Sequence, residues 1–218
     1  MERVFEGVFR ADHSFATESI DPGRKVYNER TFREGGREYR IWDPHRSKLC
    51  GAMKNGLKTF PFNPLSKVLY LGASTGTTIS HLSDILGDSG EIYAVEISPQ
   101  CMKSLMALSE RRRNVIPIHA DARKPQDYSD AGEVDIIYQD VAQPDQDDIL
   151  IMNARALLKP EGIAMICIKS QSIDVTKEPE VVFQSVIKKL ETAFDVLERI
   201  KLEPYDKDHL FVVLRYRG

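Results

Sequence analysis

The sequence predicts an α/β protein in which a mostly parallel β-sheet ends in an antiparallel β-hairpin and follows a small N-terminal antiparallel β module. Three observations lead to this prediction. Turn signals separate short alternating segments up to about residue 45, apolar runs alternate with helical stripes from about residue 60, and the last two apolar runs leave no room for a helix between them. Strands that alternate with helices are typical of parallel sheets covered on both faces. We therefore expect two units, residues 1–57 and residues 58–218.

The N-terminal unit is expected to contain short antiparallel strands and a connecting helix. Residues 4–9 and 38–42 alternate apolar and polar side chains, as strands with one covered face do. Asp21-Pro22-Gly23 and Glu34-Gly35-Gly36 contain residues favoured in turns. A short helix is predicted near residues 46–55.

The second unit repeats a strand-then-helix pattern. Ser98 and Pro99 are typical of a helix N-cap and first helical position, and Pro144 is expected to begin a later helix. Cys101 and Met106 are expected on the inner face of the helix after Ser98. The predicted strands are residues 68–71, 92–95, 115–118, 134–138, 163–168, 194–200 and 210–216, of which the last two form the hairpin.

The bulk composition excludes several classes of protein. A net charge of −3 does not indicate a protein that binds nucleic acid by charge alone. No run of 18 apolar residues occurs, so we expect no membrane-spanning segment. Cys50, Cys101 and Cys167 are odd in number, widely spaced and without a CxxC pair, which argues against disulfides and against a metal site. We expect buried thiols in a reducing, cytoplasmic setting.

A glycine-containing turn follows the first strand of the second unit. Residues 72–78 read GASTGTT, so Gly72 and Gly76 let the backbone approach a ligand where the strand passes into a helix. Ser74 stands where a dinucleotide fingerprint has its second glycine, so the turn alone is a weak signal. A purely structural turn is the alternative.

Two acidic residues follow the next two strands. Glu96 ends the second strand, where an acid accepts hydrogen bonds from ribose hydroxyls. Asp121 follows the third strand and is placed to accept from an adenine amino group. A capping role for Glu96 and a turn role for Asp121 are the alternatives. The acid after the third strand and the terminal hairpin favour S-adenosyl-L-methionine (SAM) over NAD, since five parallel strands with such a hairpin form the Rossmann-like layout of class I SAM-dependent methyltransferases.

Three polar residues are expected at this same edge of the sheet. Asp140 follows the fourth strand, Lys169 follows the fifth, and His209 begins the last strand, whose antiparallel direction brings its start to this edge. Lys48 lies in the predicted helix before the sheet. Each has an ordinary alternative, such as a helix N-terminal acid for Asp140 or a solvated strand end for Lys169.

The chain resembles the fibrillarin family of RNA ribose 2′-O-methyltransferases in segments that occur in family order. The resemblance covers roughly residues 40–218, and the N-terminal module also fits. The glycine- and arginine-rich extension of eukaryotic members is missing, so the chain is similar to the archaeal form. The segments are WDPHRSKL at 42–49, GASTGTT at 72–78, VEIS at 95–98, DARKP at 121–125, DVAQP at 140–144 and IKS at 168–170.

The resemblance implies a reaction, partners and site residues. It implies SAM-dependent methylation of a ribose 2′-hydroxyl in ribosomal or transfer RNA, at targets selected by a box C/D guide RNA. It also implies a Nop-type scaffold protein and a kink-turn-binding protein of ribosomal type as partners. The implied catalytic residues are Lys48, Asp140, Lys169 and His209. The residues expected to contact SAM are Gly72, Ala73, Gly76, Thr77, Thr78, Glu96, Ile97, Asp121, Ala122, Asp140, Val141, Ala142 and Gln143.

A mechanism follows as a hypothesis. The methyl group of a sulfonium is already activated, so the protein must align the attack and help the hydroxyl lose its proton. We expect Lys169 to be the general base and Asp140 to orient it, with Lys48 and His209 tuning the charge and steadying the ribose or its phosphate.

Other functions stay open at this point. One is a SAM-dependent enzyme that acts on a protein side chain, such as glutamine, or on a small molecule. Another is a non-catalytic scaffold with a methyltransferase fold. If RNA is bound, its contacts are expected from local basic residues, namely Arg37, Arg40, Arg46, Arg123 and Lys124.

Overall fold

The N-terminal part of the chain forms a five-stranded antiparallel sheet in a computed structural model that describes all 218 residues. Its strands are β1 (Glu2–Phe5), β2 (Val8–Ala11), β3 (Ser14–Glu18), β4 (Thr31–Glu34) and β5 (Arg37–Trp42). They lie in the order β1-β2-β3-β5-β4, which confirms the predicted antiparallel module. The single strand predicted at residues 4–9 is wrong, because Glu6 and Gly7 turn the chain between β1 and β2. Gly7 has a φ of 65°, a left-handed conformation that glycine adopts without strain.

The remainder of the chain alternates helices and strands around a seven-stranded sheet. In chain order the α-helices and strands are α1 (Lys48–Lys54), β6 (Lys67–Leu71), α2 (Thr77–Leu86), β7 (Glu91–Glu96), α3 (Pro99–Ser109), β8 (Val115–His119), β9 (Val134–Gln139), α4 (Gln146–Leu157), β10 (Leu158–Lys169), α5 (Ser170–Ile173), α6 (Pro179–Leu190), β11 (Phe194–Lys201) and β12 (His209–Tyr216). Only β12 runs antiparallel to its neighbours, β10 and β11, which confirms the mostly parallel sheet and its terminal hairpin. No helix combines the length and apolar character that crossing a membrane requires.

The strand order reverses direction beside β6, and this reversal creates the crevice at which the site lies. The strands lie in the order β11-β12-β10-β9-β6-β7-β8, so the chain moves outward from β6 through β7 and β8 and then returns to β9. Leu71, the last residue of β6, is therefore paired with Val95 on one side and Gln139 on the other. Ligands of open α/β sheets bind at such a reversal, outside the carboxyl ends of the strands.

Serine and proline mark the helix starts, with two differences from the prediction. The Ser98 side chain accepts a hydrogen bond from the Cys101 amide at 3.4 Å, and Pro99 occupies the first helical position, as expected. The buried residues of α3 are Met102, Leu105 and Leu108. The predicted inner-face position is wrong for Met106, which is 57% exposed, and for Cys101, which is only half-buried. Each lies about 100° around the helix from its buried neighbour, Leu105 or Met102. Helix α4 begins two residues after Pro144.

Two apolar clusters cover the two faces of the seven-stranded sheet. Successive residues of β6 point to opposite faces, so Tyr70 belongs to one cluster and Leu69 to the other. The first cluster also includes Val8 and Trp42 of the N-terminal sheet. The two sheets therefore share one core, and the division of the chain between residues 57 and 58 stays a prediction.

A buried ionic network joins the N-terminal sheet to α2. The Arg40 guanidinium on β5 lies 2.7 Å from carboxylate oxygens of both Glu29 and Asp84, and Arg112 lies 2.7 Å from the second oxygen of Asp84. These four side chains are at most 1% exposed. The expectation that Arg40 contacts RNA is therefore wrong, because its charge is used to compensate two buried acids.

Replacing Arg40 by Met should destabilise the protein strongly, since Glu29 would lose its ionic partner and Asp84 would keep only Arg112. Removing one partner of a buried ion pair costs about 3–5 kcal/mol. The measurement is the free energy of unfolding in guanidinium chloride. Arg37→Met on the same strand is the matched control, because Arg37 pairs with Glu18 at the exposed surface and should have little effect. Equal losses for the two variants would contradict the assigned role of the network.

Candidate active site

The turn after β6 brings the glycine loop into contact with the end of β9. Gly72 has a φ of 81°, and a Cβ atom at this position would lie 2.9 Å from the carbonyl oxygen of Asp140. The Asp140 amide donates to the Leu71 carbonyl at 2.9 Å and joins the ends of the two strands. Gly76, the N-cap of α2, is similarly constrained, since a Cβ atom there would lie 2.6 Å from Leu108 Cδ2. Gly72 is therefore required both by its left-handed φ and by the close approach of the Asp140 backbone, whereas Gly76 is favoured by its left-handed φ of 88°, because the end of the Leu108 side chain can move.

The two acids predicted to bind the nucleoside lie at the ends of β7 and β8. Glu96 is buried, and its carboxylate accepts the amide N–H groups of Ser74 at 2.7 Å and Ser98 at 2.8 Å. Each of its oxygens keeps a further lone pair that can accept a hydroxyl. Asp121 Oδ1 accepts the Arg123 amide at 3.0 Å, which is a turn interaction. Both carboxylates thus hold the backbone of a loop in place, and both retain lone pairs that can accept hydrogen bonds from a ligand.

The first turn of α1 is attached to the glycine loop. Ser47 caps this helix, and its Oγ accepts the Cys50 amide at 3.5 Å. The Ser47 hydroxyl also shares a hydrogen bond of 2.9 Å with the hydroxyl of Thr78, in the first turn of α2. Lys48, the first residue of α1, is therefore held beside the carboxyl edge of the sheet.

The carboxylate of Asp140 lies between two lysines. Lys169 Nζ is 2.9 Å from Asp140 Oδ1 and donates to the Asp140 carbonyl oxygen, also at 2.9 Å. Lys48 Nζ is 3.4 Å from Asp140 Oδ2. The three side chains are between 13% and 21% exposed, so their charges interact in a partly desolvated setting. One acid thus joins two lysines, so that three separate segments of the chain meet at Asp140.

His209 lies next to these lysines and reaches Lys48 through a further acid. The antiparallel pairing of β10 with β12 places Lys169 opposite His209. His209 Nδ1 is 2.6 Å from the Lys207 carbonyl oxygen and 3.1 Å from Asp206 Oδ1. Asp206 Oδ2 is 3.4 Å from Lys48 Nζ. The structure therefore brings all four residues of the predicted catalytic set into one group, to which Asp206 adds a fifth.

Charge compensation governs the protonation of Lys48. Burial alone lowers the pKa of Lys48, but the attraction of Asp140 and Asp206 more than offsets burial and raises this pKa above its ordinary value.

The thiol of Cys167, on strand β10, is neutral. Burial and the nearby Asp140 raise the pKa of Cys167 to about 12. Cys50 and Cys167 are both buried, as expected.

Two side chains hold the loop between β9 and α4. Gln146 is fully buried, and its Oε1 accepts the Lys169 amide at 3.1 Å while its Nε2 donates to the Gln143 carbonyl at 2.9 Å. Arg123 donates to both carboxylate oxygens of Asp145 at 2.7 Å and to Gln143 Oε1 at 3.0 Å. The guanidinium of Arg123, expected to contact RNA, is thus engaged within the protein and fixes the predicted cofactor loop.

The other residues predicted to contact the cofactor lie at the same edge, on loops or, for Thr77, at the start of α2. They are Ala73 and Thr77 after β6, Ile97 after β7, Ala122 after β8, and Val141, Ala142 and Gln143 after β9. Ile97 is 51% exposed, whereas Ala73 and Val141 are buried. Their contacts with a ligand stay a prediction, but their positions surround the crevice beside β6.

Two members of the site were missed by sequence reasoning. Asp206 lies in the charged loop between β11 and β12, where no argument from strand ends applies. Its spacing of three residues before His209 was the one available signal. Gln146 resembles an ordinary helix-starting residue, and only the structure shows that it holds the backbone of Lys169.

Comparisons with known proteins agree on one family. The fibrillarin family model matches residues 1–218. The fibrillarin-like rRNA/tRNA 2′-O-methyltransferase of Pyrococcus furiosus is 54% identical over 201 residues, covering 92% of this chain and 88% of the relative. Aeropyrum pernix fibrillarin, solved with natively bound SAM, has a TM-score of 0.86 and 43% identity over 92% of this chain and 88% of that one. A fibrillarin from a complex with Nop5p has a TM-score of 0.92 and 41% identity, and all of both chains is covered.

Replacing Asp140 by Asn should lower the pKa of Lys48, because burial of the ammonium persists while the carboxylate that raises this pKa most is lost. Carbon-13 NMR of the lysine Cε resonances against pH measures this change. Asp135→Asn is the control, since Asp135 pairs with Lys159 at the surface, remote from Lys48 in the fold. An unchanged Lys48 titration in the Asp140 variant would show that Asp140 is not its main counter-charge.

Proposed function

The chain belongs to the fibrillarin family, and from this premise we propose that it transfers a methyl group from SAM to the ribose 2′-hydroxyl of ribosomal and transfer RNA. The observation that carries the proposal is the contact of the glycine loop with Asp140, the same residue that holds Lys169. A cofactor turn and a proton-accepting group thus meet at one point of the sheet edge. The relatives named as 2′-O-methyltransferases support the choice of substrate.

The residues at the crevice fit SAM. Glu96 offers buried carboxylate oxygens to ribose hydroxyls, and Asp121 offers an oxygen to an adenine amino group. The exposed side chain of Ile97, the residue after Glu96, supplies an apolar surface at the same edge. The bound molecule supplies a methyl group activated by its sulfonium, and the natively bound SAM of the Aeropyrum pernix protein supports this assignment.

Lys169 is the group that we assign to receive the hydroxyl proton. A neutral lysine amine has two N–H bonds and one lone pair. Lys169 Nζ donates one hydrogen bond to the Asp140 carbonyl oxygen at 2.9 Å, and its ion pair with Asp140 Oδ1, also at 2.9 Å, holds the nitrogen from the same side. The lone pair is then left free to point to the substrate. Asp140 therefore orients the base without removing its basic site.

Lys48 serves a different purpose, because its raised pKa keeps it charged. A fixed positive charge beside the reacting oxygen stabilises the negative charge that develops there as the proton leaves. His209, opposite Lys169 on β12, is assigned to the ribose or its adjoining phosphate. The two lysines thus have separate tasks, one as a base and the other as a permanent cation.

The activity is proposed to require other macromolecules. A chain with a net charge of −3 holds RNA weakly by charge alone. The complex of a related fibrillarin with Nop5p supports a Nop-type scaffold as one partner. A box C/D guide RNA and a kink-turn-binding protein complete the proposed particle, and a cytoplasmic location fits the archaeal relatives.

Reconstitution with labelled SAM tests the function. The assembled particle should methylate one 2′-hydroxyl, detected by ribose-specific mapping. Its components are the chain, a Nop-type scaffold, a kink-turn-binding protein, a guide RNA and a target RNA.

Replacing Lys169 by Ala tests the assignment of the base. This variant should bind SAM nearly as tightly in calorimetry and lose turnover by at least about 100-fold, the lower end of the range for a general base. Lys177→Ala, at an exposed lysine, is the matched control and should remain active.

Three results would contradict the proposal. Label in a protein side chain instead of RNA would favour the protein-methylating alternative. Robust site-specific methylation by the isolated chain on bare target RNA would remove the need for a particle. A Lys169→Ala variant that reacts at the normal rate would exclude Lys169 as the base.

Replacing Gly72 by Ala should weaken SAM binding, because the new Cβ would displace the Asp140 backbone. Calorimetry should show SAM affinity at least about tenfold lower, which corresponds to about 1.4 kcal/mol. Gly36→Ala is the matched control: Gly36 also has a φ of 81°, but nothing lies within 4 Å of its added Cβ. Equal SAM affinity in the two variants would show that the approach of Asp140 does not shape the binding crevice.

A further inference from the structure

Asp206 connects two residues of the site that come from opposite ends of the chain. Its Oδ2 lies 3.4 Å from Lys48 Nζ on α1, and its Oδ1 lies 3.1 Å from His209 Nδ1 on β12. The Asp206 side chain is 35% exposed, so it is open enough to face a bound substrate. This bridge is the only one within the site that reaches His209 through a side chain.

The loop that holds Asp206 is fixed on both sides. Asn55, just after α1, donates its side-chain amide to the carbonyl oxygens of Lys201 and Glu203, each at 2.8 Å. The hydroxyl of Ser170, next to Lys169, donates to the Asp208 carbonyl at 3.1 Å. The position of Asp206 is therefore set by both α1 and the end of β10, the two elements that carry the lysines.

The contacts of His209 define which ring nitrogen bears the proton. Nδ1 faces two acceptors, the Lys207 carbonyl at 2.6 Å and the Asp206 carboxylate at 3.1 Å. A neutral ring must therefore carry its hydrogen on Nδ1, and Nε2 keeps a lone pair. Such a ring accepts a hydrogen bond at Nε2, as from a ribose hydroxyl.

We propose that Asp206 is a positioning residue for methyl transfer, which fixes His209 with Nε2 as an acceptor and holds Lys48 toward Asp140. The kinetic test of this role measures methyl transfer and therefore rests on the proposed function. The proposal assigns Asp206 no contact with the reacting atoms. It treats the loop between β11 and β12 as part of the active site, and not only as the connection of a hairpin.

The kinetic test uses single-turnover methylation in the assembled particle. Asp206→Asn should lower the rate by about 10-fold to 100-fold, since disorienting His209 and Lys48 should cost less than removing a general acid or base, which is worth roughly 10²–10⁴-fold. SAM affinity should not change, and Asp206→Glu should recover most of the rate. Asp195→Asn, at the other end of the same hairpin, is the matched control, because Asp195 also bridges two side chains, those of Arg215 and Arg217.

A double-mutant cycle separates positioning from a general loss of structure. If Asp206 acts through His209, the Asp206→Asn/His209→Gln variant should lose less activity than the product of the two single losses. Losses that multiply fully would overturn the proposal. So would an Asp206→Asn rate within twofold of the Asp195→Asn rate.

A spectroscopic test stands apart from the reaction. Long-range proton–nitrogen-15 NMR distinguishes the tautomers of the five histidines, and His209→Gln assigns the signal. Neutral His209 should carry its proton on Nδ1, and Asp206→Ala should raise the fraction with the proton on Nε2. A wild-type ring protonated on Nε2, or a tautomer ratio unchanged in Asp206→Ala, would overturn the proposal. An inactive particle with the expected tautomers would instead count against the proposed function.

Discussion

The carboxylate of Asp140 supplies the negative charge that allows two lysines to meet at the edge of the sheet. Lys169 lies 2.9 Å from one of its oxygens and Lys48 lies 3.4 Å from the other. Two ammonium groups this close would repel each other strongly in a partly desolvated site. With Asp140 between them, Lys48 is held charged, and Lys169 is held by an ion pair with the carboxylate and a hydrogen bond to the Asp140 carbonyl oxygen. The proposed division of labour between a fixed cation and a base follows from this one acid.

The fold places Asp140 through contacts that have little to do with catalysis in themselves. The reversal of strand order beside β6 puts the ends of β6 and β9 next to each other, and the missing side chain of Gly72 lets them close to contact. Lys48 is held at this edge because Ser47, which caps α1, is hydrogen-bonded to Thr78 of α2, the same helix that the buried ions around Arg40 attach to the N-terminal sheet. The charged core of the N-terminal part therefore contributes to the active site without touching it.

Sequence reasoning predicted the parts of the site that obey a general rule. Asp140 and Lys169 could be placed because parallel strands end at a common edge, and His209 because a hairpin reverses direction. Side chains whose partners are distant in sequence could not be placed: Arg40 was assigned to RNA because Glu29 and Asp84 give no sign of facing it. Asp206 was missed because a loop has no periodicity. The turn within residues 4–9 was missed because strand-like residues stand on both sides of Gly7, whose left-handed φ of 65° the pattern does not reveal.

The central claim is geometric, and a structure of the assembled particle with target RNA and a non-reactive SAM analogue tests it most directly. The distance to measure joins Lys169 Nζ to the 2′-oxygen of the target ribose. We expect hydrogen-bonding distance, about 2.6–3.2 Å, with Asp140 still holding the amine from the other side. A target 2′-oxygen that lies beyond reach of Lys169, or an Asp140 turned away from both lysines, would contradict the account.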